Sequence, residues 1–360
     1  MKGKSIGWAV LVLTLGAWVV VVGCGSGGEQ AGVVFRDPSK APSNNVSTAN
    51  AFFLGIANCS LCHTTITTEF AQQAHGKNFH TAYPGLDLIS GFGGRCAPCH
   101  TTGYDEPTGY NAGGQLNVGL EGIQCEECHG PGSGHFGNEA HINRIPAASQ
   151  TCWDCHVPSY KMLRSTVNPT GDADLDSTVP NKVIVRQPQA LMFNGVGGYQ
   201  YPGSAYHNHE HSLIANSCVT CHLYVPNGGP VTHGAEALEP DEAACLSCHG
   251  SATAHDLLLE ETQAEFKALL VQLGGEDPAA AGEPDPNASG GLLADWAASK
   301  GIDITTNNDP SNAAVHAYKG ARWNYCYVLN DKSFGVHNAD YAEQLLNDSI
   351  ASLTTSGRGG

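Results

Sequence analysis

Apolar residues are spread along this chain in three ways. The first is a nearly continuous run from Ile6 to Val22, preceded by Lys2 and Lys4. The second is helical spacing: Asp256 to Leu273 places apolar residues three and four apart, which predicts an amphipathic helix. Gly274 to Gly291, with repeated Pro, Asp and Gly, breaks it, and the chain becomes helical again from Leu292. Tyr341 to Leu353 reads as a last amphipathic helix capped by Asn338. The third is a short β-like stretch, Lys182-Val-Ile-Val-Arg186, which with Gly198-Tyr-Gln-Tyr-Pro202 predicts a small hairpin. Elsewhere apolar groups are short and punctuated by Gly, Pro and Asn, so the expected fold is mostly α with low regular secondary structure.

Composition deepens that picture. Hydrophobic residues make up 41% of the chain and glycines number 44, which for a core built of side chains alone implies loose packing. Another apolar body is needed at the centre.

The cysteines identify it. Cys-x-x-Cys-His occurs six times, at Cys59/Cys62/His63, Cys96/Cys99/His100, Cys125/Cys128/His129, Cys152/Cys155/His156, Cys218/Cys221/His222 and Cys245/Cys248/His249. With 14 Cys and 17 His in 360 residues, random placement would give about 0.03 copies. The pattern is the attachment signature of haem c. Two thiols three residues apart on a short helical turn reach both vinyl groups along one porphyrin edge, and the following His lies beneath the iron. Disulfide frameworks and zinc sites also use paired cysteines, but neither needs His after every second Cys. Six covalently bound haems therefore become the core around which short helices and loops wrap. Cys24 and Cys326 remain over; Cys326, in Trp323-Asn-Tyr-Cys-Tyr327, reads as a buried helical cysteine.

The apolar run at the start ends in Val21-Val22-Gly23-Cys24, which looks like a bacterial lipoprotein signal peptide with Cys24 as the lipidated residue. Gly25, rather than Asp, after that cysteine resembles the pattern of lipoproteins sent to the outer membrane. Residues 25 to 50, rich in Gly, Ser, Asn and Pro, read as a tether that keeps the body close to a membrane, facing the periplasm or the cell surface. No second apolar run of about 20 residues occurs, so no further transmembrane helix is expected. A net charge of −17 with only 17 Lys and Arg argues against a nucleic-acid partner. The resulting division is 1–23 signal peptide, 24–50 tether, 51–160 four-haem region, 161–205 insert, 206–256 two-haem region and 257–360 C-terminal helical region supplying a distal ligand.

Each haem iron held by a proximal His (His63, His100, His129, His156, His222, His249) has a second axial position, usually filled by His or Met. Beyond the leader only Met162 and Met192 remain, whereas eleven His lie outside the motifs. The set is therefore expected to be largely bis-His and of low potential. The distal candidates are His75, His135, His233, His255 and His337, with His209 or His211 as the sixth; His80, His141 and His316 rank below them. His135 and His255 each follow a motif His by six residues. That path is tight around a porphyrin edge, so both are expected to serve a neighbouring haem.

Cys59-Ser-Leu-Cys-His63 followed by Glu69-Phe70 and Ala74-His75-Gly76 resembles the opening haem site of tetrahaem cytochromes from ammonia oxidisers. Cys96-Ala-Pro-Cys-His-Thr-Thr-Gly-Tyr104 and Gly122-Ile-Gln-Cys-Glu-Glu-Cys-His-Gly-Pro-Gly-Ser-Gly-His135 continue the likeness. Ser333-Phe-Gly-Val-His-Asn338 followed by Tyr341 is similar to a segment of pentahaem nitrite reductases and octahaem enzymes, where the matching His is a distal ligand. The resemblance implies a multihaem cytochrome fold and supports His75, His135 and His337 as ligands. It does not reach the insert at 160–205. The Cys-x-x-Cys-Lys motif of the nitrite reductases is absent, and six motifs fall short of eight.

Two main functions follow. One is an electron carrier passing charge between periplasmic or membrane donors and redox partner proteins or extracellular acceptors. The other is a reductase of a small nitrogen or sulfur oxyanion at one open-coordinate haem, for which Tyr104 and Tyr110 offer polar groups. A polymerising cytochrome with stacked haems is a third, less natural with a lipidated N-terminus. Ample His and the missing Lys-ligated motif favour the carrier.

Overall fold

The computed structural model describes residues 51–77, 97–104, 106–135, 150–156, 187–225, 233–234, 238–240, 242–303, 309 and 311–355. The signal peptide, tether, His80, His141, Cys96 and the Lys182–Arg186 stretch lie outside them, as do most of the insert's residues.

Among the described residues the regular structure is helical. The N-terminal part carries short helices, each little more than a turn or two: α1 (Ile56–Cys59), α2 (Thr64–Phe70), α3 (Ala97–His100), α4 (Cys125–His129), α5 (Gln150–Trp153) and α6 (Gln189–Phe193). Two more, α7 (Ser217–His222) and α8 (Glu242–His249), complete the series of motif-bearing turns. Long helices appear only afterwards: α9 (Ala252–Gly274), α10 (Gly291–Ser299), α11 (Ala313–Asp331) and α12 (Ala339–Thr355). The expected helix from Asp256 thus begins four residues earlier, and the terminal helix extends two residues beyond each predicted end.

The largest apolar cluster is formed by these last four helices and the segment 191–199. Phe266, Leu270 and Leu273 of α9 recur at helical spacing, as do Tyr341, Leu345 and Leu353 of α12, and all are buried. Full burial of such a side chain is worth about 1.5–3 kcal/mol. α11 is enclosed on nearly all sides, from Val315 to Val328. Two of its buried polar side chains bond to backbone carbonyls: Arg322 Nη1 donates to the Asn287 carbonyl (2.9 Å) and Trp323 Nε1 to the Gly197 carbonyl (2.8 Å), while Arg322 Nε is buried without a partner. Cys326 lies buried on this helix. Asn312 caps its start, accepting from the backbone N–H groups of Ala314 and Val315.

The hairpin expectation fails at Gly198–Pro202, where no strand forms. The backbone there bonds to helix side chains instead. Tyr199 N–H donates to Asn324 Oδ1 (2.7 Å), its carbonyl accepts from Asn324 Nδ2 (2.9 Å), and Gly198 N–H donates to the Tyr341 hydroxyl. With its polar groups already paired, the segment has no need of a partner strand.

The second apolar cluster is small: Phe53, Ala97, Tyr110 and Leu120. Polar contacts dominate around it. The buried carboxylate of Glu126, inside the third motif, accepts from the backbone N–H groups of Leu54, Gly55 (2.7 Å) and Gly132 (2.7 Å). Its neighbour Glu127 accepts from Gly103 N–H at 2.8 Å. Gly103 has φ +65°, and a Cβ there would meet the Phe53 ring at 2.6 Å, so both the turn and the close approach require glycine.

Candidate haem-binding sites

Each described motif sits on a short helical turn. Cys125 to His129 occupies α4, Cys218 to His222 lies in α7, and Cys245 to His249 in α8. In the first motif Cys59 ends α1 and His63 caps α2.

The attachment thiols adjoin one another across motifs. Cys59 interacts with Cys125, Cys152 with Cys218 and Cys155 with Cys99. Cys128 and Cys152 interact electrostatically, as do Cys221 and Cys245. Thiols of different motifs therefore lie near one another, those of the fourth motif near thiols of the second, third and fifth. Hydrogen bonding to the partner thiol, followed by burial, holds Cys59, Cys152 and Cys155 well above the ordinary thiol range, while the same bond lowers Cys125. Burial and the Glu127 charge push Cys128 up to about 12.

The imidazoles are arranged in pairs. His63 stacks on His135 with ring centroids 6.0 Å apart, and His156 meets His75 at 6.0 Å. His129 faces His233 at 6.3 Å, His222 faces His337 at 6.3 Å, and His249 faces His211 at 5.9 Å. Two imidazoles bound to one metal at about 2.0 Å each hold their ring centres roughly 6 Å apart. In every pair a motif His meets a His from outside the motifs, so the donor set fits a bis-His iron. His135 meets a His of another motif.

Several of these rings are locked through Nδ1. His337 Nδ1 lies 2.8 Å from the Asp331 carboxylate, His211 Nδ1 donates to the Val336 carbonyl (2.6 Å), and His222 Nδ1 to the Leu238 carbonyl (2.6 Å). His156 Nδ1 faces Gln189 Oε1 at 3.4 Å, and the same glutamine's amide donates to the Asn330 carbonyl. Acceptors of this kind place the proton on Nδ1 and leave the Nε2 lone pair for a metal. Burial, with the neighbouring His156 and His100, lowers His75 to about 4; burial also lowers His100, His156 and His211. Neutral imidazoles are what iron requires. His337 differs: burial lowers it, but the Asp331 charge and hydrogen bond outweigh that and leave it raised.

The other sequence candidates have separate placements. His209 caps the 3₁₀ turn Glu210–Leu213, its Nδ1 accepting from His211 N–H, so its own Nδ1 is occupied and His211 is the one that reaches a motif. His316 Nδ1 lies 3.3 Å from the Tyr199 hydroxyl. His207 is exposed. The side chain of His255 lies outside the described residues, although its backbone belongs to α9. Asp331, Gln189 and the clamp at Glu126 were missed from sequence. Only the nearness of Asp331 to His337 and the position of Glu126 between two motif cysteines offered a signal.

Residues 58–130 match the family described as cytochrome c554 and c-prime. Cytochrome c-554 of Nitrosomonas europaea is 29% identical over 102 residues, covering 25% of this chain and 43% of the relative, so the match spans less than half of that protein. Two solved structures share weaker likeness: the outer cell wall cytochrome OcwA (TM-score 0.33, 15% identity, 84% of this chain and all of that one), and an undecahaem cytochrome from the S-layer of Carboxydothermus ferrireducens (TM-score 0.34, 18% identity, 80% and 40%). Among the described residues no helix is long and apolar enough to cross a membrane.

Proposed function

We propose that this chain, a multihaem c-type cytochrome, is a hexahaem electron carrier whose irons are all closed by two axial ligands. The observation that carries the reading is the set of five imidazole pairs, each at one-metal spacing. We assign His135 to the site of His63, His233 to His129, His75 to His156, His337 to His222 and His211 to His249, and for the sixth site, that of His100, we take His255, the distal candidate left over from the sequence. The covalent anchors are the motif cysteines, from Cys59 and Cys62 through Cys245 and Cys248. Iron porphyrin in these positions supplies one-electron redox chemistry. The chain holds the two imidazoles of each pair opposed, fixes the rings of His156, His211, His222 and His337 through Nδ1 and keeps motif thiols near one another, so that charge passes over short gaps. Closed axial positions leave no place for a substrate.

The lipoprotein reading of Cys24 supports an exported carrier held at the outer membrane, exchanging electrons with periplasmic or membrane donors on one side and redox proteins or extracellular acceptors on the other. Carbon monoxide added to the fully reduced holoprotein tests the carrier function. Unchanged visible bands from all six haems are expected. A shift in one haem would overturn the closed-site reading and favour reduction of a small nitrogen or sulfur oxyanion at that iron.

A further inference from the structure

The imidazoles locked through Nδ1 do not face equivalent acceptors. His211 and His222 donate to backbone carbonyls and His156 faces a neutral amide, whereas His337 faces a carboxylate. The Asp331 side chain is only 2% exposed, so water screens its charge little. Its position is fixed from several directions. The Ser333 hydroxyl donates to its second oxygen and itself accepts from His337 N–H (3.1 Å), and Gln189 Nε2 reaches the carbonyl of Asn330 beside it. The turn between them holds Lys332 (φ 63°), Phe334 (φ 47°) and Gly335 (φ +98°) in left-handed conformations, a local strain that α11 and α12 must sustain.

We propose that Asp331 is a positioning residue that sets the charge at the site of His222 and His337, making it the lowest-potential site among those whose Nδ1 partners are described. The inference rests on the reading that this pair ligates haem iron. A carboxylate accepting Nδ1–H gives the imidazole partial imidazolate character, which stabilises the higher iron charge and opposes reduction. Thiols of the fourth motif (Cys152) and the sixth (Cys245) lie near those of this site, Cys218 and Cys221, so the low point falls between other sites.

The test is a potentiometric titration of the full-length holoprotein, followed by optical and electron paramagnetic resonance spectra. In Asp331→Asn the hydrogen bond is kept and the charge is lost; one of six transitions should move to higher potential, and Asp331→Glu should bring it back. Ser333→Ala removes a donor to the carboxylate and makes it a stronger acceptor, so the same transition should move the opposite way. General loosening of the turn would move both in one direction. Unmoved transitions, or Asn and Ala variants shifting together, would overturn the inference. His337→Ala separates this from the ligation itself: one haem turning high-spin upholds the pair, and six haems remaining low-spin overturns the ligation and the inference with it. Should Asp331→Asn fail to fold, the direction seen in Ser333→Ala decides.

Discussion

The rings of His63 and His135 lie 6.0 Å apart and 22° from parallel, although 72 positions separate them in sequence and His135 follows the third motif, not the first. If His135 serves the site of His63, then His135→Ala opens an iron attached at Cys59 and Cys62. One haem should turn high-spin and bind carbon monoxide while six remain covalently attached. Repeating the substitution in a chain carrying Cys59→Ser and Cys62→Ser should add no high-spin signal. Persistence of that signal would assign His135 to another motif.

The pairs differ in ring orientation, and that difference has a spectroscopic consequence. His63/His135 and His129/His233 are near parallel at 22° and 35°, whereas His75/His156 and His211/His249 are perpendicular at 86° and 88°. Parallel imidazoles split the same pair of iron d orbitals, and perpendicular ones cancel each other's splitting. Low-temperature electron paramagnetic resonance of the oxidised protein should therefore contain both ordinary rhombic signals and strongly axial ones with a large leading g value. Rhombic signals alone would contradict the perpendicular pairs.

Glu126 joins the segment before the first motif to the third motif by accepting three backbone N–H groups from within the interior. Glu126→Ala leaves those donors buried and unpaired, at about 1–3 kcal/mol each for groups that water cannot reach. The expected result is a thermal midpoint several degrees lower for the holoprotein, with the change confined to the N-terminal haem bands. Glu126→Gln, which keeps an acceptor oxygen, should lose less.

The sequence disclosed the motif turns, because two thiols and a His at fixed spacing fall on one short helical turn. It also disclosed α9 and α12, whose buried residues repeat at helical intervals. The imidazole pairs were only partly legible, since His211 and His209 have similar neighbourhoods in sequence and are told apart by which one caps a turn. α11 hid its centrality because Lys319, Arg322 and Asn324 interrupt the apolar pattern; those residues are buried and bonded, which hydropathy cannot reveal. The hairpin misreading at Gly198–Pro202 has the same origin, for a β-like pattern says nothing of backbone partners supplied by Asn324 and Tyr341.

Asp285 caps the turn after α9, accepting from the hydroxyl and N–H of Ser289 and the N–H of Asn287. Burial alone would raise its carboxyl, but these bonds and the nearby Arg322 outweigh it, and its pKa lies below the usual value. A carboxyl depressed on folding stabilises above its unfolded pKa of about 3.9 and loses that contribution as pH falls through the lower folded value. Asp285→Asn should therefore destabilise the protein at pH 7, with the gap from wild type closing below about pH 4. Comparing denaturant midpoints of the two proteins across that range checks it, because the other carboxylates cancel in the difference. A gap independent of pH would show that the charge contributes nothing.

Asn324 has no exposed surface and uses its whole amide. Its oxygen accepts from Tyr199 N–H (2.7 Å), and its nitrogen donates to the Tyr199 carbonyl (2.9 Å) and the Ser349 hydroxyl (3.1 Å). One side chain thus replaces a strand partner for Tyr199 and also reaches α12. Asn324→Leu conserves size but leaves the backbone N–H and carbonyl of Tyr199 buried without partners, so a loss of about 2–5 kcal/mol is expected from the two groups together. Asn324→Asp keeps the acceptor for Tyr199 N–H but turns the Tyr199 carbonyl against a carboxylate oxygen, and should be as harmful as leucine at neutral pH. Because segment 195–201 leads into His211, the loosened segment should also expose the site of His249. Chemical denaturation measures the first effect. The second should appear as carbon monoxide binding at one haem in Asn324→Leu under conditions where the fold is still intact, and a destabilised variant with all six haems closed would show that the segment does not govern that ligand.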